Sequence, residues 1–125
     1  MEKVKYKILL AEDDKFLSIA LGDKLEREGF VVIKAPNGLE ALDLIRSEKP
    51  DLILLDLIMP QRTGFQVLEE LKKDAELAKI PVVILSNLGQ ESDRQKAKEL
   101  GAVDYLVKSD VQMGEVVEKL KTYLK

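Results

Sequence analysis

Apolar runs and amphipathic stretches alternate along the whole chain. "KILLA" (7–11), "FVVIKA" (30–35), "DLILL" (51–55), "PVVIL" (81–85) and "VDYLV" (103–107) predict strands. Three of them are almost continuously apolar, as strands covered on both faces of a parallel sheet are. The segments between them carry helical spacing. In 15–28, Leu17, Ala20, Leu21 and Leu25 share a face and Gly29 ends the helix. "NGLE" (37–40) and "TGFQ" (63–66) place an Asn or Thr cap three residues before Glu or Gln, opening a second and a third helix. The third presents Phe65, Leu68 and Leu71. A fourth is expected over 91–100, stopped by Gly101. The last carries an apolar stripe, Met113, Val116, Val117, Leu120 and Leu124, expected to be core rather than interface.

Five strand–helix repeats with right-handed crossovers predict an α/β sandwich, a parallel sheet with helices on both faces. At 125 residues, a single domain over 1–125 is expected, with no linker or low-complexity segment in view. Hydrophobic residues make up 46% and charged residues 34%, so a core can form without staples. A net charge of −3 with no long basic run disfavours direct nucleic-acid binding; Lys3, Lys5 and Lys7 read as a solvated N-terminus. No run is long enough to span a membrane and no signal-peptide pattern appears, so a soluble cytoplasmic protein is expected.

There is no cysteine and no histidine. That removes the usual zinc sites, a cysteine nucleophile, any histidine-based triad and a histidine phosphocarrier. Chemistry here must run on carboxylates, hydroxyls, amides and lysine, with or without a hard metal ion.

In a parallel sheet the carboxyl ends of the strands share one edge, where ligands bind. The first strand leads into Glu12, Asp13 and Asp14, the third into Asp56, the fourth into Ser86 and Asn87, and the fifth into Lys108. An ionised acid closing so apolar a run as "DLILLDLIMP" (51–60) is costly unless paired, and this edge supplies its partners. Two unit charges ~4 Å apart interact by ~4 kcal/mol at an effective dielectric of ~20, so clustered acids invite a divalent cation. An oxygen-only donor set favours Mg²⁺, Mn²⁺ or Ca²⁺; the acids are too few for a calcium cage, and Mg²⁺ fits best. Ser86 and Lys108 suit the remaining oxygens of a phosphoryl group, and a carboxylate beside them can be the nucleophile.

"AEDD" (11–14), "DLIMP" followed by Gly64, "LSN" (85–87) and "GAVDYLVK" (101–108), at these intervals, cover essentially the whole chain. The chain resembles the response-regulator receiver domains of two-component signalling, the family of the chemotaxis response regulator. The resemblance implies a flavodoxin-like (βα)5 fold with strand order 2-1-3-4-5. It implies that Asp56 accepts a phosphoryl group from the phosphohistidine of a sensor kinase or phosphotransfer protein. Asp13 and Asp56 would contact Mg²⁺ directly, Glu12 through water, with the Ile58 backbone carbonyl as a further ligand. Lys108 would pair with Asp56 or its phosphate. Ser86 would bring its hydroxyl to the phosphate and Tyr105 would turn inward behind it, the family's switch. Such a domain is a phosphoacceptor rather than an enzyme on other substrates. It would signal to a downstream protein through the fourth helix, fifth strand and fifth helix, as a monomer or as a dimer promoted by phosphorylation.

Bland readings compete at some positions. Asp14 reads first as a helix cap, and Tyr105 could be ordinary packing on a half-exposed strand. Two positions depart from the family pattern. Ser109 follows Lys108 where proline is usual, and Asn87 follows Ser86 where a small residue is usual; Asn87 either narrows access to the phosphate or adds a donor to it. Ile58 and Leu88, both apolar, would flank the path of a hydrolytic water and make the phosphoryl group long-lived. Rival functions are a Mg²⁺-dependent phosphatase or nuclease of related α/β fold and a receiver-fold interaction module that is never phosphorylated. The first typically has a second acid two residues after the strand-end acid, where this chain has Ile58; the second would have lost a site residue that is retained here.

Overall fold

The computed structural model describes residues 5–124. Its elements follow in strict alternation: β1 (Lys7–Ala11), α1 (Lys15–Arg27), β2 (Val31–Ala35), α2 (Gly38–Glu48), β3 (Leu52–Leu55), α3 (Gly64–Lys72), β4 (Val82–Ser86), α4 (Glu91–Glu99), β5 (Asp104–Val107) and α5 (Met113–Thr122), with short 3₁₀ turns at Leu77–Lys79 and Lys108–Asp110. All strand pairs are parallel and the order is β2-β1-β3-β4-β5. This is the flavodoxin-like three-layer sandwich expected. Of the Lys3, Lys5 and Lys7 cluster, Lys3 lies outside the described residues.

The period-two pleat divides the sheet's side chains between two cores. Ile8, Leu10, Leu52, Leu54, Val83 and Leu85 meet Leu21 and Leu25 of α1 and Val116, Val117 and Leu120 of α5. Leu9, Ala11, Ile53, Leu55 and Ile84 meet α2, α3 and Ala97 of α4 on the other face. β1, β3 and β4 are buried on both faces, which is why those segments read as unbroken apolar runs. β2 and β5 lie at the sheet's edges and are only partly buried.

The helix ends follow their local chemistry. Asp14 caps α1, its Oδ1 accepting from the Phe16 and Leu17 amides at 3.0 and 3.2 Å. Thr63 and Gln66 form a full capping box at α3. At α2 the Asn37 side chain accepts from Glu40 N–H at 2.9 Å, but its amide, not its backbone, donates to the Glu40 carboxylate at 3.0 Å. Gly29 and Gly101 take φ of 98° and 106°, the left-handed conformation that ends a helix without a Cβ penalty. The α5 stripe needs one correction. Val116, Val117 and Leu120 are buried, but Met113 is 37% exposed, because it is the first residue of α5 and has no preceding turn of that helix beside it.

Candidate functional site

The carboxyl edge is assembled by backbone pairing continuing past the strands. Glu12 N–H donates to the Ala35 carbonyl and Asp56 N–H to the Ala11 carbonyl, both at 3.0 Å. Each acid is therefore held as if it were one more strand residue. Glu12 is 3% exposed and Asp56 5%. Asp13, the next residue, lies past the strand and is exposed. A glycine braces the β3–α3 loop: Gly64 N–H donates to the Leu57 carbonyl at 3.0 Å, and a Cβ at Gly64 would lie 2.4 Å from the Asp56 carbonyl oxygen. Only glycine permits that approach. The Ile58 amide donates to Asp56 Oδ1 at 3.2 Å, which orients the carboxylate.

Lys108 reaches in from the end of β5. Its Nζ lies 2.9 Å from Glu12 Oε1 and 3.0 Å from Asp56 Oδ2. One ammonium thus satisfies two buried acids, and no buried side-chain polar atom among the described residues lacks a partner. Burial works against the charge on Lys108, but its hydrogen bonds to Glu12 and Asp56 outweigh it and hold the ammonium above its usual range. Glu12 is pushed up to about 6, first by burial and further by the neighbouring Asp56 charge, against the opposing pull of Lys108 and the Asp14 amide.

One carboxylate oxygen each from Glu12, Asp13 and Asp56 lie within 4.8 Å of one another. With Asp14, Ile58, Asn87 and Lys108 these residues line an open cavity of about 230 Å³. Three oxygens at that separation, with no nitrogen or sulfur donor, fit a hard divalent cation.

Ser86 and Tyr105 do not line this cavity. Ser86 closes β4 fully buried, and its Oγ accepts from the Leu88 amide at 3.3 Å. The half-buried Tyr105 hydroxyl donates to the Leu88 carbonyl, and Arg94 of α4 stacks 5.0 Å above its ring. Both side chains thus converge on one residue of the β4–α4 loop. Burial and the charge of Asp93 push the Tyr105 phenol up, with Arg94 opposing.

The sequence profile of the response regulator receiver domain matches residues 8–121. The chain is 43% identical over 102 residues to protein PilH of Pseudomonas aeruginosa, covering 82% of this chain and 84% of that one. The chain belongs to the response-regulator receiver family. It is 34% identical to the polar-differentiation response regulator DivK of Brucella anthropi over 117 residues, 94% of each protein. Against the "Probable transcriptional regulator ycf27" of Guillardia theta it is 38% identical over 106 residues, 85% of this chain but 41% of that protein. Among solved structures, the Francisella response regulator 1452 receiver domain superposes with a TM-score of 0.88 at 31% identity, covering 95% of this chain and 96% of that one.

Receiver domains are signalling domains of two-component systems, and they bind Mg²⁺ through acidic residues. The acidic cluster of this chain offers that donor set. The expected residues divide into two groups. Glu12, Asp13, Asp56, Ile58 and Lys108 come together in one cavity, whereas Ser86 and Tyr105 meet beside it at Leu88. Leu88 itself packs on the core on the α2–α4 face rather than lining the cavity, so of the two apolar residues expected on the water's path Ile58 alone borders it. The direct Glu12–Lys108 pair was not anticipated; the sequence signal was a second acid next to a strand end that would be buried. The departure at Ser109 is absorbed by the 3₁₀ turn over Lys108–Asp110. Among the described residues there is no cis peptide bond.

Proposed function

We propose that Asp56 is the phosphoacceptor of this receiver, that Mg²⁺ is its cofactor, and that residues 1–125 work as one receiver unit. The observation that carries this reading is the shared grip of Lys108 on Asp56 and Glu12 beside the exposed Asp13. A buried carboxylate is paired with an ammonium, oriented by the Ile58 amide, and still open to a cavity. Such a group is a ready nucleophile. An Asp56 carboxylate oxygen attacks the phosphorus of a phosphohistidine on a sensor kinase or phosphotransfer protein. The P–N bond breaks as the P–O bond forms, and the imidazole leaves with the bonding pair. Lys108 stays within reach of the transferred group and offsets part of its charge. Asp13 and Asp56 would hold Mg²⁺ directly, with Glu12 acting through water and the Ile58 carbonyl completing the protein's donors. When bound, the ion supplies positive charge against the repulsion between acids and phosphoryl oxygens.

Ser86 is read as the hydroxyl that turns to the phosphoryl group, exchanging its contact with the Leu88 amide, with Tyr105 following through the Leu88 carbonyl. That shared residue supports a coupled switch. Its readout would be the face made by α4, β5 and α5, where Arg94, Lys98, Asp104 and Tyr105 border a cavity of about 280 Å³. We infer a downstream protein as the partner there, a monomer or phosphorylation-promoted dimer as the state, and the cytoplasm as the location. Among the described residues no helix is long and apolar enough to cross a membrane.

The test is phosphorylation by a small phosphodonor in Mg²⁺. The parent should gain one hydroxylamine-sensitive phosphoryl group, and Asp56→Asn should gain none. An undiminished mass increase in the variant refutes the assignment. Turnover of phosphoester substrates by the parent would favour the phosphatase reading instead.

A further inference from the structure

We propose that Asn87 is a phosphoryl-binding residue, its side-chain amide donating to a terminal oxygen of the group carried by Asp56. The inference rests on the reading of Asp56 as phosphoacceptor. It begins from what the cavity offers an incoming phosphoryl group. Glu12, Asp13 and Asp14 are acids and repel it. Ile58 is apolar, and Lys108 is already shared between Glu12 and Asp56. Asn87 is the neutral polar side chain in that lining, and it carries two N–H donors without adding charge near the acids.

Its position is set by its neighbours. β3 and β4 pair in parallel with Leu55 opposite Ile84, a register that sets Asn87 level with Ile58, two residues past Asp56 on the same edge, and all three line the cavity. Ser86, before Asn87, is buried and bonded to the Leu88 amide. Leu88, after it, receives the Tyr105 hydroxyl on its carbonyl. Asn87 is exposed between two anchored residues, so little backbone entropy is lost when its side chain engages a ligand. The same anchoring ties the contact to the switch. A rearrangement of Ser86 or Tyr105 moves the peptide on which Asn87 stands.

A hydrogen bond from a neutral amide to an anionic oxygen is of the charge-assisted kind. Its loss should weaken binding about tenfold, which is about 1.4 kcal/mol. The probe is beryllofluoride, a non-hydrolysable phosphoryl mimic, titrated in saturating Mg²⁺ and followed by amide chemical shifts. Mg²⁺ alone is titrated in parallel, and melting without ligands verifies that each variant folds. Asn87→Leu keeps the bulk and removes the donor, Asn87→Ala removes both, and Asn87→Asp keeps the shape and adds a charge. The expected result is binding of the mimic about tenfold weaker in the Leu and Ala variants, weaker still in the Asp variant, with Mg²⁺ affinity within twofold of the parent in the Leu and Ala variants. Undiminished binding in both Asn87→Leu and Asn87→Ala, or tighter binding in Asn87→Ala alone, overturns the inference and leaves Asn87 a steric gate. A parent that takes up no mimic, or an Asp56→Asn variant that binds it fully, overturns the reading of Asp56 itself.

Discussion

Replacing Lys108 by methionine removes a cation that touches two buried acids while keeping most of the aliphatic stem. The cost can be built from the two contacts. Glu12 has an escape: with its pKa already at about 6, taking up a proton at pH 7 costs about one pH unit, ~1.4 kcal/mol. That caps its share. Asp56, 5% exposed, loses a charged hydrogen bond at 3.0 Å, worth about 2 kcal/mol. Lys108→Met should therefore lower the unfolding free energy by about 3 kcal/mol at pH 7, the low end for breaking a buried pair. The loss should depend on pH in a stated direction. Glu12 titrates higher in the folded protein, about 6, than its ordinary 4.5, so the folded state binds the extra proton between those values. The penalty for its buried charge is present above pH 6 and relieved as pH falls toward 4.5. Without Lys108 its pKa rises further, and the relief on acidification is larger than in the parent. The deficit of the variant should shrink to about 2 kcal/mol at pH 5. Urea unfolding followed by far-ultraviolet circular dichroism, in EDTA and at low salt, measures both. A loss below about 1 kcal/mol at pH 7, or one that is unchanged or larger at pH 5, would refute the two-contact account.

Other expectations follow from the same geometry. Mg²⁺ should raise the melting temperature of the parent by linkage, and Asp13→Ala, a change at an exposed side chain, should abolish that response; equal responses in differential scanning calorimetry would put the metal elsewhere. Gly64→Ala should cost about 2–3 kcal/mol in chemical denaturation, because its Cβ would be driven against the Asp56 carbonyl at 2.4 Å; a neutral substitution would mean the loop yields freely. Ile58→Asn should shorten the lifetime of the phosphoprotein several-fold, since the 55% exposed Ile58 borders the cavity and offers a hydrolytic water no hydrogen bond; decay no faster than the parent's, after removal of the phosphodonor, would show that this side chain does not set the rate.

The amino-acid order by itself determined the architecture. Doubly buried strands leave continuous apolar runs, because both faces of β1, β3 and β4 need covering, and the Asn, Thr and Gly signals between them mark helix ends by local hydrogen bonding and backbone freedom. It also put acids, a hydroxyl and a lysine at the strand ends, and parallel topology sends all those ends to one edge. What only the tertiary structure decided is the pairing across elements. Lys108 could have met Asp56 alone. It meets Glu12 as well, because Glu12 is locked beside Asp56 by hydrogen bonds to neighbouring strands, 96 and 52 positions from the lysine in sequence being no distance at all in the sheet. Ser86 and Tyr105 meet on Leu88 rather than at Asp56, a choice made by a loop conformation that no periodicity encodes. Met113, at the first position of α5, is only partly covered: a helical stripe states which side chains share a face, while how far along that face the packing reaches is a property of the packed whole.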